Sequence, residues 1–250
     1  MKLTPLLLAA CSIATPALAG AQEPATAILQ LYSYHLVDPP RFREGYRAHL
    51  GWHARHRDPL AWYAWTVQAG PRRGQFIDGT AGASLAGLDA RPDLPGDGAD
   101  FVATVGDSAQ PIDVETWALW AAPTTATPLE DRKPGKTVDV FLLTVSPGHA
   151  LAFERAVARL AQKRRAGGAQ LSWYRRLRGG GAASYMLLVA RERWADIAAN
   201  GGTLPEILSR AYGARSAGVE AALAPVEALA TETWTYEPRL SLLPGEPFAS

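Results

Sequence analysis

Three histidines stand at positions 49, 53 and 56. Residues four and seven apart share one face of a helix, so His49, His53 and His56 form a stripe that Phe42 and Tyr46 extend toward the N-terminus. Imidazoles placed this way suit three kinds of chemistry. A pair at i, i+4 can ligate a metal ion, a single ring can ligate haem iron, and a ring titrating near neutral pH can hold or move a proton on an organic ligand. The run reads His49-Leu50-Gly51-Trp52-His53 and lacks the glutamate that follows the first histidine of a zinc-protease helix; the nearest carboxylate is Asp58, past the helix end. No metal site is therefore expected. His49 or His53 is expected to anchor an organic ligand instead.

The helix belongs to a unit that occurs twice. Leu60-Ala61-Trp62-Tyr63 returns 111 residues later as Leu171-Ser172-Trp173-Tyr174, Phe42 meets Phe153 at the same offset, and Glu115-Thr116-Trp117 returns as Glu232-Thr233-Trp234. Both halves carry the same order of patterns. Strand-like runs at 28–37 and 138–145 come first. Pro39-Pro40 and Pro147-Gly148 then open helical stretches at 41–57 and 150–166, as proline does at a first turn. Second strands are expected at 62–68 and 173–178, glycine-rich turns at 70–74 and 179–181, and third strands at 75–77 and 184–190. A second helix is clear at 204–222 and weak at 98–105, and fourth strands close the halves at 116–120 and 233–236. The expected division is a first half at 22–121, a linker at 122–136 rich in proline, threonine and charge, a second half at 137–237 and a tail at 238–250.

This is an α+β pattern, two tandem ferredoxin-like βαββαβ halves. On that element order and duplication the chain resembles the dimeric α+β barrel superfamily, in which two such units pair their sheets into one barrel; here both units would be fused. The superfamily includes small-molecule monooxygenases, haem-binding and haem-degrading proteins, chlorite dismutase-like and peroxidase-like enzymes and NIPSNAP-type proteins, and fold does not choose among them. The resemblance implies a ligand cavity, with cofactor-independent oxygenase or haem-related chemistry as alternatives; the residues themselves name no cofactor. Haem enzymes of the peroxidase-like and chlorite dismutase-like groups place a proximal histidine on a late helix of the second half. The stretch 204–222 has none, which counts against those groups.

Differences between the halves point to the site. Along the first strand, Leu29, Leu31 and Ser33 match Val140, Leu142 and Thr144, and this face is expected to meet the helices. The opposite face carries Gln30, Tyr32 and Tyr34 against Phe141, Leu143 and Val145, so half one is expected to present a more polar barrel interior. Leu160 stands where half one has His49, which places His49 toward the core. The expected pocket wall is Tyr32, Tyr34, Tyr46, His49, His53, Trp65 and Trp117. The glycine- and aspartate-rich stretch 74–100 reads as a long loop in which Asp78, Asp89 and Asp93 are solvated. Arg155, Arg159, Lys163, Arg164 and Arg165, followed by Arg175, Arg176 and Arg178, read as a solvated basic face.

The ends bound the context. Lys2, a short apolar run at 3–13 and small residues at Ala17-Leu18-Ala19 and Ala19-Gly20-Ala21 read as an export signal over residues 1–21, giving a periplasmic or secreted protein. Leu8-Ala9-Ala10-Cys11 offers the alternative of a lipoprotein anchored through Cys11, the only cysteine. Cleavage after Ala19 or Ala21 leaves neither a disulfide nor a thiol nucleophile. With 25 basic and 24 acidic residues, of which the signal removes only Lys2, nothing suggests a nucleic-acid partner, and no transmembrane segment is expected. The sequence reading is thus an exported small-molecule binder with its pocket in the first half. Oxidoreductase activity is one alternative and a packed, partner-binding barrel the other.

Overall fold

Eight strands with large apolar residues on both faces close into a barrel, which buries one face inward and leaves the other to be covered by helices. A computed structural model describes residues 27–91, 93–163, 169–179 and 184–243. The stretch expected as an export signal, with Cys11, and also Arg164, Arg165, Gly180, Gly181 and the end of the tail lie outside them. The first half runs β1 (Ile28–Leu36), α1 (Pro39–Arg55), β2 (Ala61–Ala69), β3 (Phe76–Ala83), α2 (Leu85–Asp89), α3 (Leu94–Val105) and β4 (Ala109–Leu119). The second runs β5 (Thr137–Val145), α4 (Ala150–Ala161), β6 (Leu171–Arg178), β7 (Ser184–Arg191), α5 (Ala195–Asn200), α6 (Leu204–Tyr212), α7 (Ser216–Leu223) and β8 (Val226–Tyr236).

Strand order around the barrel is β1-β3-β2-β8-β5-β7-β6-β4, with every neighbouring pair antiparallel. Each half contributes the ferredoxin-like order 4-1-3-2, and β2–β8 and β4–β6 join them. Local signals set the helix limits. Asp38 accepts a hydrogen bond from Arg41 N ahead of Pro39-Pro40, and α1 ends before Arg57, which takes a left-handed φ of 53°. Gly213 in the left-handed conformation breaks the stretch expected as one helix into α6 and α7. The expected loop at 74–100 instead contains β3, α2 and the start of α3, with Asp93 capping Gly96 N. No helix of the described residues is long and apolar enough to cross a membrane.

The two faces of β1 are the reverse of the expectation. Leu29 and Leu31 pack inside the barrel with Tyr63, Trp65, Trp117, Val140, Tyr174 and Trp234. Tyr34, with Tyr32 at its edge, packs outside against Phe42, Tyr46 and Leu50 of α1. In half two Phe141, Leu143 and Val145 do the same beneath Phe153 and Val157 of α4. Alternation separates two faces but does not say which is inner when both are covered.

The buried carboxylates of the interior face, Glu115 and Glu232, come from β4 and β8. Arg72 donates from Nε and Nη2 to Glu232, whose side chain has no exposure, and Trp234 Nε1 donates to the same carboxylate. Arg176 pairs with Glu115 at 2.9 Å and lies over Trp117, so it leaves the basic face on which it was expected. Removing one partner of a buried pair strands the other charge. Arg72→Ala is therefore expected to cost about 3 kcal/mol, seen as a lower denaturation midpoint with an unchanged urea slope.

Candidate functional site

Helix α1 lies on the outer face of the sheet and turns Phe42, Tyr46, His49 and His53 toward it. Phe76 of β3 meets Phe42 and Tyr46 edge-on, which fixes the start of the stripe. One turn on, Tyr46 Oη donates to Asp78 Oδ2 at 2.7 Å, with Asp78 buried on β3. Helix α3 crosses close to α1 at Gly45 and brings Asp97 and Asp100 over His49.

The imidazoles are held from all sides. His49 Nδ1 donates to Asp100 Oδ2 at 2.9 Å and His53 Nδ1 to Asp58 Oδ2 at 2.8 Å. Asp58 is itself fixed by Leu60 N and Trp62 Nε1. The two Nε2 atoms face each other at 3.1 Å, with Asp97 Oδ1 at 3.2 Å from His49 Nε2 and 3.3 Å from His53 Nε2. Arg91 Nη2 holds the other oxygen of Asp97 at 2.6 Å while its guanidinium lies over Trp62.

Beside this cluster is a cavity of about 180 Å³. Tyr32, Tyr34, Trp62 and Phe101 form its aromatic wall, His49, Asp78, Arg91 and Asp97 its polar end, and Gly98 leaves one side without a side chain. Asp78 Oδ1 is buried there with no hydrogen-bond partner among the described residues. Burial pushes the Asp78 carboxyl up to about 7, against the lowering effect of the Tyr46 hydrogen bond. Burial also raises Tyr32 to about 12 and holds Tyr34 and Tyr46 above their ordinary range, so these phenols stay protonated at neutral pH. Burial lowers His49, but its bonds to Asp97 and Asp100 outweigh that and hold it above the usual value. The reverse balance holds Asp97 and Asp58 below the usual carboxylate range, through His49 and His53 respectively.

Of the residues expected from the sequence, Tyr32, Tyr34, Tyr46, His49 and His53 come together. Trp65 and Trp117 do not: they lie inside the barrel, on the far side of the sheet from the cavity. His56 turns away and stacks on Trp52. Asp78, expected in a solvated loop, is 4% exposed. Asp97, Asp100 and Arg91 join the site without having been expected there. Their only sequence signal is the proline-led helix start after Asp93, which puts Asp97 and Asp100 three apart on α3.

No protein-family model and no curated protein matches the chain. Solved structures do. A candidate monooxygenase from Lactobacillus acidophilus NCFM superposes with TM-score 0.58 at 13% identity, covering 90% of this chain and 100% of its own. One from Fusobacterium nucleatum gives 0.55 at 10% identity over 85% and 93%. A chlorite dismutase variant from Candidatus Nitrospira defluvii gives 0.54 at 8% identity over 86% and 92%. The chain has the dimeric α+β barrel fold. At these identities the likeness is one of fold. Haem, one of the cofactors the dimeric α+β barrel resemblance implied, does not fit this cavity. Both histidines are enclosed by carboxylates, and an apolar cavity of about 150 Å³ holds one benzene ring, which leaves no space for a macrocycle.

Proposed function

We propose that the chain is an exported protein that binds a small, single-ring aromatic molecule carrying a hydrogen-bond donor, in the pocket between α1, α3 and the outer face of β1–β3–β2. The observation that carries this reading is the cavity itself, aromatic on one side and ending on an unpartnered, buried Asp78 oxygen. A buried polar atom without a partner costs free energy unless a ligand or water satisfies it. A phenolic hydroxyl meets that need, while the ring stays among Tyr32, Trp62 and Phe101. Asp58, Asp97 and Asp100 disfavour an anion, with Arg91 Nη2 already on Asp97; Arg91 Nε, buried without a partner among the described residues, is a donor to an acceptor atom of the ligand. Export follows from the signal read in residues 1–21, and a processed N-terminus near residue 20 or 22 in secreted material would support it.

A second reading, chemistry on the bound molecule, is favoured by Asp78. A carboxyl titrating near 7 suits proton transfer at neutral pH. The fold neighbours described as monooxygenases sit comfortably with that reading but do not carry it.

Phenol is the probe. Calorimetry is expected to give one site with a Kd of about 0.1–1 mM. Gly98→Leu would fill the cavity, because a Cβ at Gly98 meets nothing within 4 Å. This substitution is expected to weaken phenol binding by more than about 10-fold without lowering Tm, because leucine is the better helix former by about 1 kcal/mol. Unchanged phenol binding in Gly98→Leu would place the ligand elsewhere.

A further inference from the structure

Three donor atoms converge at the polar end of the pocket with separations of 3.1, 3.2 and 3.3 Å: His49 Nε2, His53 Nε2 and Asp97 Oδ1. Their outer partners decide what these atoms present to one another. Each Nδ1 faces a carboxylate, Asp100 or Asp58, so a neutral ring that donates from Nδ1 turns its Nε2 lone pair inward. Arg91 occupies Asp97 Oδ2 and leaves Oδ1 aimed at the same point. Three acceptor-capable atoms, two on nearly fully buried histidines, converge on one point, where in the metal-free chain a proton on an Nε2 bridges to Asp97. A metal cation can take the place of that proton, with each ring kept neutral by its Nδ1–H.

We propose that His49 Nε2, His53 Nε2 and Asp97 Oδ1 bind one divalent first-row transition-metal ion, with its remaining position facing the aromatic pocket. Bonds of about 2.0–2.1 Å at tetrahedral angles set donor atoms about 3.3 Å apart, close to the separations found. The three atoms also form a mutually compact ligand set drawn from two helices, α1 and α3. The outer shell matches what ligating histidines require: Asp100 and Asp58 fix each ring and its tautomer, and Trp62 Nε1 and Leu60 N fix Asp58 in turn. In the sequence, half two carries Leu160 in place of His49 and Arg164 in place of His53, so the matching positions there offer no histidine pair. Two histidines and one carboxylate suit zinc or ferrous iron, and three protein ligands leave a position for water or a ligand oxygen. The inference goes beyond the aromatic-ligand reading and does not depend on it.

The test is a Zn²⁺ titration of the full chelator-treated protein at pH 7.5, without phenol. Expected are one ion per chain, a Kd below about 1 µM, and visible absorption of four-coordinate character when Co²⁺ replaces Zn²⁺. Asp97→Asn, checked for folding by circular dichroism, is expected to lose more than about 100-fold in affinity, and Asp100→Asn about 10-fold. Absence of saturable uptake by the native chain would overturn the proposal, as would equal affinity in Asp97→Asn. Phenol titrated into chelator-treated protein reports separately on the ligand reading, so either can fail without the other.

Discussion

Gly45→Ala is expected to destabilise the protein by about 3 kcal/mol, although the same change on an exposed helix face would stabilise it by about 1 kcal/mol. The reversal of sign comes from how α3 sits on α1. A Cβ on Gly45 would overlap the carbonyl oxygen of Thr104, lie 2.8 Å from its carbon and approach Val105 Cα to 3.3 Å. These are backbone atoms, so no rotamer change relieves the overlap and α3 must move as a body. That motion would carry Asp97 and Asp100 away from His49. Urea denaturation gives the stability, and the near-ultraviolet dichroism of Trp52 and Trp62 is expected to change with it. Half two provides the control, because the matching position is already Ala156. Ala156→Gly should cost only the propensity difference. A Gly45→Ala protein as stable as the native one would mean that α3 does not pack where the site requires it.

The second large effect is a pH-dependent gain from Asp78→Asn. The Asp78 carboxyl titrates near 7 in the folded chain, above its value in an unfolded one. Below about pH 3 both states hold the proton and the group contributes no difference. As pH rises toward 7 the unfolded chain ionises and the folded one does not, so stability falls; above 7 both are ionised and the penalty is constant. Raising a carboxyl from its ordinary value to near 7 corresponds to a penalty of about 4 kcal/mol. Asparagine cannot ionise and keeps an acceptor for Tyr46 Oη. Asp78→Asn is therefore expected to equal the native protein near pH 3 and to exceed it by about 3 kcal/mol at pH 8, measured by thermal melts in chelator. The facing groups are Tyr32, Tyr34 and Tyr46, with His49, Asp97 and Arg91 further along the cavity. All three phenols stay protonated over that range. A difference independent of pH would remove Asp78 as the titrating group.

Much of the architecture is legible in the sequence because a duplication writes it twice. The Trp62/Trp173 and Trp117/Trp234 correspondences mark equivalent strands, and the proline-led starts mark α1 and α4. Periodicity on α1 also puts Tyr46, His49 and His53 on the buried face. What it cannot do is choose between two buried faces of a strand. In an ordinary sheet polarity makes that choice, but a barrel sheathed in helices buries both. Tyr32 and Tyr34 thus end up outside the barrel wall, and Trp65 and Trp117 inside it, with the sheet between.

The aspartates are hidden for a different reason. Glycines at 79, 82, 87, 96 and 98 give the stretch around Asp78 and Asp97 the composition of a loop. At Gly79 the residue serves close packing instead: an added Cβ would lie 2.5 Å from Gln30 O on the neighbouring strand. Composition records that glycine is present; only the neighbouring strand shows that it is there for contact. Asp97 meets the histidines through the packing of α3 on α1, a pairing that helix periodicity within α1 does not encode.

Whether the pocket takes a single-ring phenol is decided by a crystal structure of the protein grown with phenol. A ring between Trp62 and Phe101 is expected, with its hydroxyl on Asp78 Oδ1. A cavity closed by its own side chains, with Asp78 Oδ1 bonded to another protein group and phenol absent or bound elsewhere, would contradict the proposed function.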